Sequence, residues 1–315
     1  MTIHQHFAPE DAVLSAIAAH AEAQPAGLAA TGIPGVRLFW AHAPGAASPL
    51  LYDRGIVVIF QGRKIGFLGD RRFVYDRDNY LALTMPVPFA CATEASMREP
   101  LCGLFLDVSR EDLAMILPLI EDEPSVQARR ASSAVTPVPC DEPMRSASLR
   151  LLESLTDPVA KRLFGESLRR EVILAALRGP MGGALAGLME RQSDDRPLDP
   201  AIDLMRTNLA APHRIEDLAE ACGMSVSAFH RAFRARTDQT PLQYLKRLRL
   251  HVARRMIAFE NVQVSIAAHR VGYESASQFS REYKRLFREV PAAARHRAVV
   301  DPVAYADPYQ DTVMA

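Results

Sequence analysis

The sequence predicts an α+β multidomain chain: an N-terminal β-barrel, a helical linker, and an all-α C-terminal domain built from two helix-turn-helix units. Three observations carry this reading. Short apolar runs punctuated by Gly, Pro, Asp and Asn fill the stretch from about Ile33 to Val108. Longer helical patterns follow near residues 146–177. One helix-turn-helix pattern then occurs twice, about fifty residues apart.

The bulk properties leave room for these parts. A chain of 315 residues with 49% hydrophobic content can bury two cores. No apolar run approaches the ~20 residues that span a bilayer, so no transmembrane helix is expected. Met1–Asp11 lacks the basic stretch and apolar core of a signal peptide. Cys91, Cys102, Cys140 and Cys222 show no zinc spacing, and their scatter fits reduced thiols in a cytoplasm. The formal net charge of zero conceals a division: Arg196–Val300 holds 18 Lys+Arg against 10 Asp+Glu, leaving 19 against 27 elsewhere. A basic module joined to an acidic partner is what nucleic-acid binding would produce, although charge alone also fits ordinary solvated surface.

In chain order, Val36–Trp40, Ile56–Phe60, Leu81–Thr84 and Leu104–Leu106 read as strands of a small barrel or sandwich. Gln61–Lys64 and Tyr75–Asn79 read as their connections. Ser109 is placed to cap a helix from Arg110, with Leu113, Ile116 and Leu117 on one side. A polar, proline-bearing stretch, Glu121–Pro143, precedes helices near Ser146–Leu155 and Pro158–Leu177. In the second, Phe164, Leu168, Val172 and Ala175 form a stripe widened by Leu174 and Leu177, suited to the barrel or to a second copy of the chain. Gly179-Pro180 ends it. Gln192–Pro197 is the best boundary, and the tail 301–315 reads as disordered. The expected divisions are therefore 1–140, 141–196, 197–300 and 301–315.

Asp199 as N-cap and Pro200 as first helical residue start a helix with Ile202, Met205 and Leu209 inward. In the first helix-turn-helix, Ile215, Leu218, Ala219 and Cys222 form a stripe, Gly223 supplies a positive φ, and Ser225 caps the next helix. Phe229 and Phe233 face inward there, which turns Ser227, His230, Arg231 and Arg234 outward. The second copy runs from Val264 through Gly272 and Ser275 to Phe279 and Tyr283, leaving Ser277, Gln278, Arg281 and Lys284 outward. Arg231 and Arg281 occupy equivalent places. Arginine can donate two hydrogen bonds to guanine and glutamine can pair with adenine, so these residues suit base edges in a major groove. Arg234 and Lys284 suit phosphates.

Pro241–Phe259 reads as one helix between the copies, with Leu242, Leu245, Leu248, Val252 and Met256 inward, and Arg247, Arg249, Arg254 and Arg255 adding charge. Its length is roughly 28 Å at ~1.5 Å per residue. That is slightly short of the ~34 Å between successive major grooves on one side of DNA, so bending could close the gap. The expected partner is duplex DNA bound through two adjacent major grooves. A helical hairpin in an ordinary core is the plainer reading of either copy alone; duplication, matched arginines and charge balance weigh against it.

Leu218–Phe233, Pro241–Tyr244, Arg249-Leu250, Ala253-Arg254 and above all Gly272–Phe287 resemble the AraC/XylS family of bacterial transcriptional regulators, over about Pro197–Arg297. Asp238 and Arg288 stand where that pattern usually has glycine, and Ala294 where it usually has tyrosine. Val57–Lys64, Tyr75, Tyr80-Leu81, Pro86–Pro88, Glu94–Ser96 and Pro100 resemble the cupin-like sensor domain of one branch of the family. The resemblance implies a cupin-like β-barrel that binds a small-molecule effector and changes how the C-terminal half engages DNA. It leads us to expect a cytoplasmic regulator that activates or otherwise controls promoters, acting as a homodimer, with RNA polymerase a candidate partner.

No catalytic set, cofactor or metal is expected. The N-terminal half offers only His4, His6, His20 and His42, none within the strand pattern. No phosphate-binding glycine loop is present. Cys91 and Cys102 flank the Thr93–Pro100 turn and could line the barrel, as core packing or as an effector-sensing thiol for electrophiles such as aldehydes. Cys222, on the buried stripe, reads as structural. Two further readings remain: a non-sequence-specific architectural DNA binder, and a barrel enzyme with a DNA-targeting tail.

Overall fold

The computed structural model describes residues 9–20, 25–127, 133–187 and 198–296. His4, His6, the boundary at 192–197 and the tail at 301–315 lie outside them. Ten strands form the N-terminal sheet: β1 (Ala26–Ala30), β2 (Val36–Ala41), β3 (Gly45–Tyr52), β4 (Gly55–Gln61), β5 (Arg63–Leu68), β6 (Arg71–Asp76), β7 (Asn79–Leu83), β8 (Val87–Glu94), β9 (Leu101–Asp107) and β10 (Val135–Pro139). They pair antiparallel in the order β1-β2-β9-β4-β7-β6-β5-β8-β3, with β10 added to β7. No pairing joins β1 to β3 among the described residues, so the sheet is a half-barrel with two edges.

Strand alternation divides two cores. Phe39, Val57, Ile59, Leu81, Leu83 and Phe105 point to the concave face. Leu38, Trp40, Ile56, Val58, Tyr80, Leu104 and Leu106 point to the convex face. Helices α1 (Pro9–His20), α2 (Arg110–Ile116), α3 (Pro124–Gln127), α4 (Glu142–Ser154), α5 (Pro158–Arg178) and α6 (Gly182–Ala186) belong to this N-terminal half. Val13, Leu113, Leu151, Val172, Ile173 and Leu185, from five of them, cover the convex face. The α2 cap is a reciprocal box: Ser109 accepts from the Asp112 backbone and Asp112 reaches back. The polar stretch expected at 121–143 thus contains a short helix and a strand.

The stripe expected on α5 is rotated. Phe164 is exposed, and the buried face consists of Gly165, Arg169, Val172, Ile173, Ala176 and Leu177. A basic residue belongs to that face because Arg169 pairs with buried Asp112 and donates to the Asp107 carbonyl at 3.1 Å. Charge pairing, invisible to an apolar periodicity, turned the helix.

The C-terminal half comprises α7 (Asp199–Thr207), α8 (Ile215–Ala221), α9 (Val226–Thr237), α10 (Pro241–Ala258), α11 (Val264–Arg270) and α12 (Ala276–Phe287). Leu198, not Asp199, occupies the α7 N-cap, and Asp199 approaches Arg54 of the N-terminal half at 3.5 Å. The single inner face expected for α10 is corrected too. Leu242 is exposed, whereas Tyr244, Leu245, Leu248, Leu250, His251, Ala253, Arg254 and Ile257 are buried. A helix enclosed on several sides has no single stripe. The concave face of the sheet, α7 and the helix-turn-helix cores form one continuous apolar cluster.

Candidate nucleic-acid interface

Each turn between a scaffold helix and its outward helix follows from local chemistry. Gly223 holds φ +64°, and a Cβ there would meet nothing within 4 Å, so backbone conformation alone calls for glycine. Gly272 holds φ +86° and also lies against the α7–α8 loop, where a Cβ would come within 2.6 Å of the Ala210 carbonyl oxygen. Ser225 accepts from the Ala228 amide and Ser275 from the Gln278 amide, both at 3.3 Å.

Aromatic residues seat both outward helices. Phe229 and Phe233 are fully buried with ring centroids 5.6 Å apart, and Phe233 meets Tyr244 edge-on at 5.3 Å. In the second unit Phe279 and Tyr283 lie 5.5 Å apart, and Tyr283 lies 4.5 Å from Phe287. The opposite faces then point to solvent: Ser227, Arg231 and Arg234 on α9 are exposed, as are Ser277, Gln278, Arg281 and Lys284 on α12. His230 is half-buried beside Phe229. Arg231, Arg234, Arg281 and Lys284 meet no acidic side chain within ion-pair distance among the described residues. Both faces are solvent-facing and cationic.

The arginines of α10 behave otherwise. Arg249 donates to the Leu209 and Ala211 carbonyls at 2.9 and 2.8 Å. Arg254 is buried, pairs with Glu289 at 3.2 Å, donates to the Pro49 carbonyl at 3.3 Å and stacks on Phe287. Arg255 pairs with Glu260 at 3.2 Å. Burial lowers the pKa of Arg247. Arg249, Arg254 and Arg255 thus tie the fold together, so three of the four arginines expected to add charge along α10 are engaged within the protein.

One acidic group on α12 was not singled out by sequence reasoning. Glu282 bonds to Lys246 of α10 at 2.6 Å and accepts from the Tyr273 hydroxyl at 2.7 Å. Burial pushes its pKa up, but the bonds from Lys246 and Tyr273 outweigh this and hold it below the ordinary value. Its neighbour Arg281 drew attention because it recurs in both copies; Glu282 does not recur, since Ala232 holds its place.

The two halves meet along the β3–β8 rim. Tyr244 donates to the Pro86 carbonyl at 2.8 Å and Gln239 to the Pro88 carbonyl at 3.1 Å. The Ala134 amide donates to the Arg236 carbonyl at 3.0 Å. Gly69, in the β5–β6 turn, packs so closely that a Cβ there would lie 2.9 Å from that of Asp238.

Cys91 and Cys102 are not brought together. Cys91 faces the concave core, whereas Cys102 faces the helices on the convex side, so only Cys91 lines the half-barrel. Burial pushes the Cys102 thiol up to about 12. Cys91 joins a cluster that sequence reasoning missed: its sulfur lies 2.9 Å from the Tyr75 hydroxyl, which lies 2.9 Å from that of Tyr52. Buried Lys64 donates to Tyr52 at 3.4 Å and sits over the Phe39 ring at 5.7 Å. Burial raises the Cys91 pKa, and Lys64 opposes the rise. Among the described residues no three metal-ligating side chains converge, and no helix is long and apolar enough to cross a membrane.

Comparison with known proteins assigns both halves. Residues 32–184 match the AraC-type transcriptional regulator N-terminus, and residues 218–297 match a helix-turn-helix domain. The chain belongs to the AraC/XylS family. The HTH-type transcriptional regulator AlkR of Acinetobacter baylyi is 34% identical over 87 residues, 28% of each chain. A putative AraC-like transcription regulator of Streptomyces lividans is 30% identical over 170 residues, 50% of this chain and 54% of that one. The match to these curated relatives thus spans about half of their length or less. ToxT from Vibrio cholerae has the same fold, with a TM-score of 0.59 at 11% identity, over 83% of this chain and 97% of that one. A ToxT structure with bound unsaturated fatty acid aligns with a TM-score of 0.55 at 11% identity, over 81% of this chain and 92% of that one.

The departures from the AraC/XylS pattern have a structural meaning. Asp238 and Arg288 close α9 and α12 with φ of +53° and +60°, the left-handed conformation that glycine adopts without strain. Ala294 is fully buried beyond Pro291.

Proposed function

We propose that this chain is a sequence-specific DNA-binding transcriptional regulator controlled by a small-molecule effector. The carrying observation is the pair of solvent-facing helices that present equivalent arginines, Arg231 and Arg281, on aromatic-seated scaffolds. Ser227, His230, Ser277 and Gln278 share those faces and complete the base-reading set, while Arg234 and Lys284 serve phosphates. The two helices enter adjacent major grooves. The functional divisions are 1–140 for effector sensing, 141–196 for linking and 197–300 for DNA. Reading bases requires no catalysis, and the regulator works in the cytoplasm.

The effector half is supported by the cluster of buried Lys64, Tyr75 and Cys91 with half-buried Tyr52 in the half-barrel, and by the fatty-acid-bound ToxT structure of the same fold. Exposed Val159, Leu163 and Phe164 on α5 support assembly as a homodimer. RNA polymerase is the partner through which an activator of this kind acts.

Selection of a random duplex library on the full chain, followed by anisotropy at two salt concentrations, tests the reading. Enrichment of two short motifs about one helical turn apart supports it. Binding that enriches nothing and collapses with salt replaces it with architectural binding.

A further inference from the structure

The two helix-turn-helix units are near copies in sequence but are held in place by different contacts. Equivalent positions differ by fifty residues along the outward helices, so Glu282 corresponds to Ala232 and Glu289 to Gln239. Glu282 links three elements of its own half: α12 itself, Lys246 of α10, and Tyr273 in the turn before α12. Tyr273 also packs edge-on to Phe279 at 5.3 Å. Gln278, assigned above to base reading, stands one turn earlier on α12, four residues before Glu282 on the same stretch of helix. Ala232 has no polar atom with which to do any of this.

The end of α9 is held from outside. Gln239 is buried and donates to Pro88 of the sheet rim, and the Arg236 carbonyl accepts from Ala134. Asp238 abuts Gly69, and Phe233 rests on Tyr244, itself bonded to Pro86. In the second unit α12 packs against β3, but the corresponding Glu289 turns inward to Arg254, and that arginine makes the polar contact with the rim, at Pro49.

We infer that Glu282 is a positioning residue that fixes the second reading helix through polar bonds within the C-terminal half, whereas the first reading helix takes its polar anchoring from the N-terminal half. The inference rests on the DNA-reading function proposed above. A change in the half-barrel then reaches the DNA unequally: the motif read by Gln278 and Arg281 anchors the complex, and the motif read by Arg231 responds to the effector half.

The test uses the full chain as wild type, Glu282→Ala, Glu282→Gln and Gln239→Ala, with two measurements on each. The first is native-state hydrogen exchange, which needs no DNA. Loss of a charge-assisted bond should speed exchange in Ala276–Phe287 by about tenfold in Glu282→Ala, with Val226–Thr237 changing by less than about twofold. Gln239→Ala should show the reverse, and Glu282→Gln, which keeps an acceptor for Tyr273, should recover part of the effect. Equal acceleration in both helices by either alanine variant overturns the inference, because the units then move as one body. The second measurement is library selection: Glu282→Ala should flatten preference at the second motif alone, a result that general destabilisation would not give. A wild-type chain that enriches no motif refutes the proposed function, while hydrogen exchange still decides how each helix is held.

Discussion

The Tyr244 hydroxyl, on the helix joining the two reading units, donates to the Pro86 carbonyl on the rim of the half-barrel at 2.8 Å. Both groups are buried, so the bond has no water to replace it. Tyr244→Phe leaves the Pro86 carbonyl unsatisfied and should destabilise the chain by about 1–3 kcal/mol. Urea unfolding of the two proteins measures this, and an unchanged midpoint would show that the rim contact adds nothing to stability.

Arg231→Ala and Arg281→Ala should each lose about 1–3 kcal/mol of specific DNA binding and relax preference near the lost contact. Arg234→Ala should weaken binding to all sequences alike and reduce the salt slope by about one. Specific affinity untouched by the first two changes would mean that the reading faces are misassigned.

Arg288→Gly should stabilise the chain by about 1 kcal/mol, since glycine meets the left-handed turn without the steric cost borne by a side chain. Asp238→Gly should gain less, because aspartate tolerates that region better than arginine. Thermal unfolding of both variants checks the order.

His251 lies buried against Phe287, with ring centroids 5.1 Å apart. Burial first, and then Arg254 and Arg247, push its pKa down to about 3. The folded chain therefore holds this imidazole neutral, while the unfolded chain binds a proton below about 6.5. Its contribution to stability is present above that pH and drains away as pH falls toward 3. The difference in unfolding free energy between wild type and His251→Leu should follow this slope; a difference independent of pH would refute it.

Cys140 and Cys222 are half-exposed, whereas Cys91 and Cys102 are buried. Iodoacetamide at neutral pH should therefore label the first pair before the second. Rapid labelling of Cys91 would instead mark the half-barrel thiol as a direct sensor.

The parts legible in the sequence were those set by near neighbours. Strands β2, β4, β7 and β9 are buried on both faces and carry apolar runs, so they stood out. Strand β1 is Ala- and Gly-rich, β3 contains Pro49, and β5 and β6 mix charges into their alternation, so they did not. The reading faces followed from aromatic spacing and helical geometry alone. The Lys64–Tyr75–Cys91 cluster depends instead on register, with Lys64 opposite Tyr75 on one side and Gly66 opposite Cys91 on the other. Lys64 looked like a turn residue because its burial is decided by strands far away in sequence.

The apolar cluster runs unbroken from Phe39 and Phe89 in the half-barrel to Tyr244 and Phe279 among the reading helices. A shared interior of this kind makes melting a joint event, so the DNA-reading helices inherit whatever thermal tolerance the half-barrel has. An effector at a hundredfold excess over its Kd would add about 2.7 kcal/mol to the folded state, and the far helices would register that gain without touching the ligand. Heat resistance of the reading helices thereby becomes a gauge of what occupies the other half.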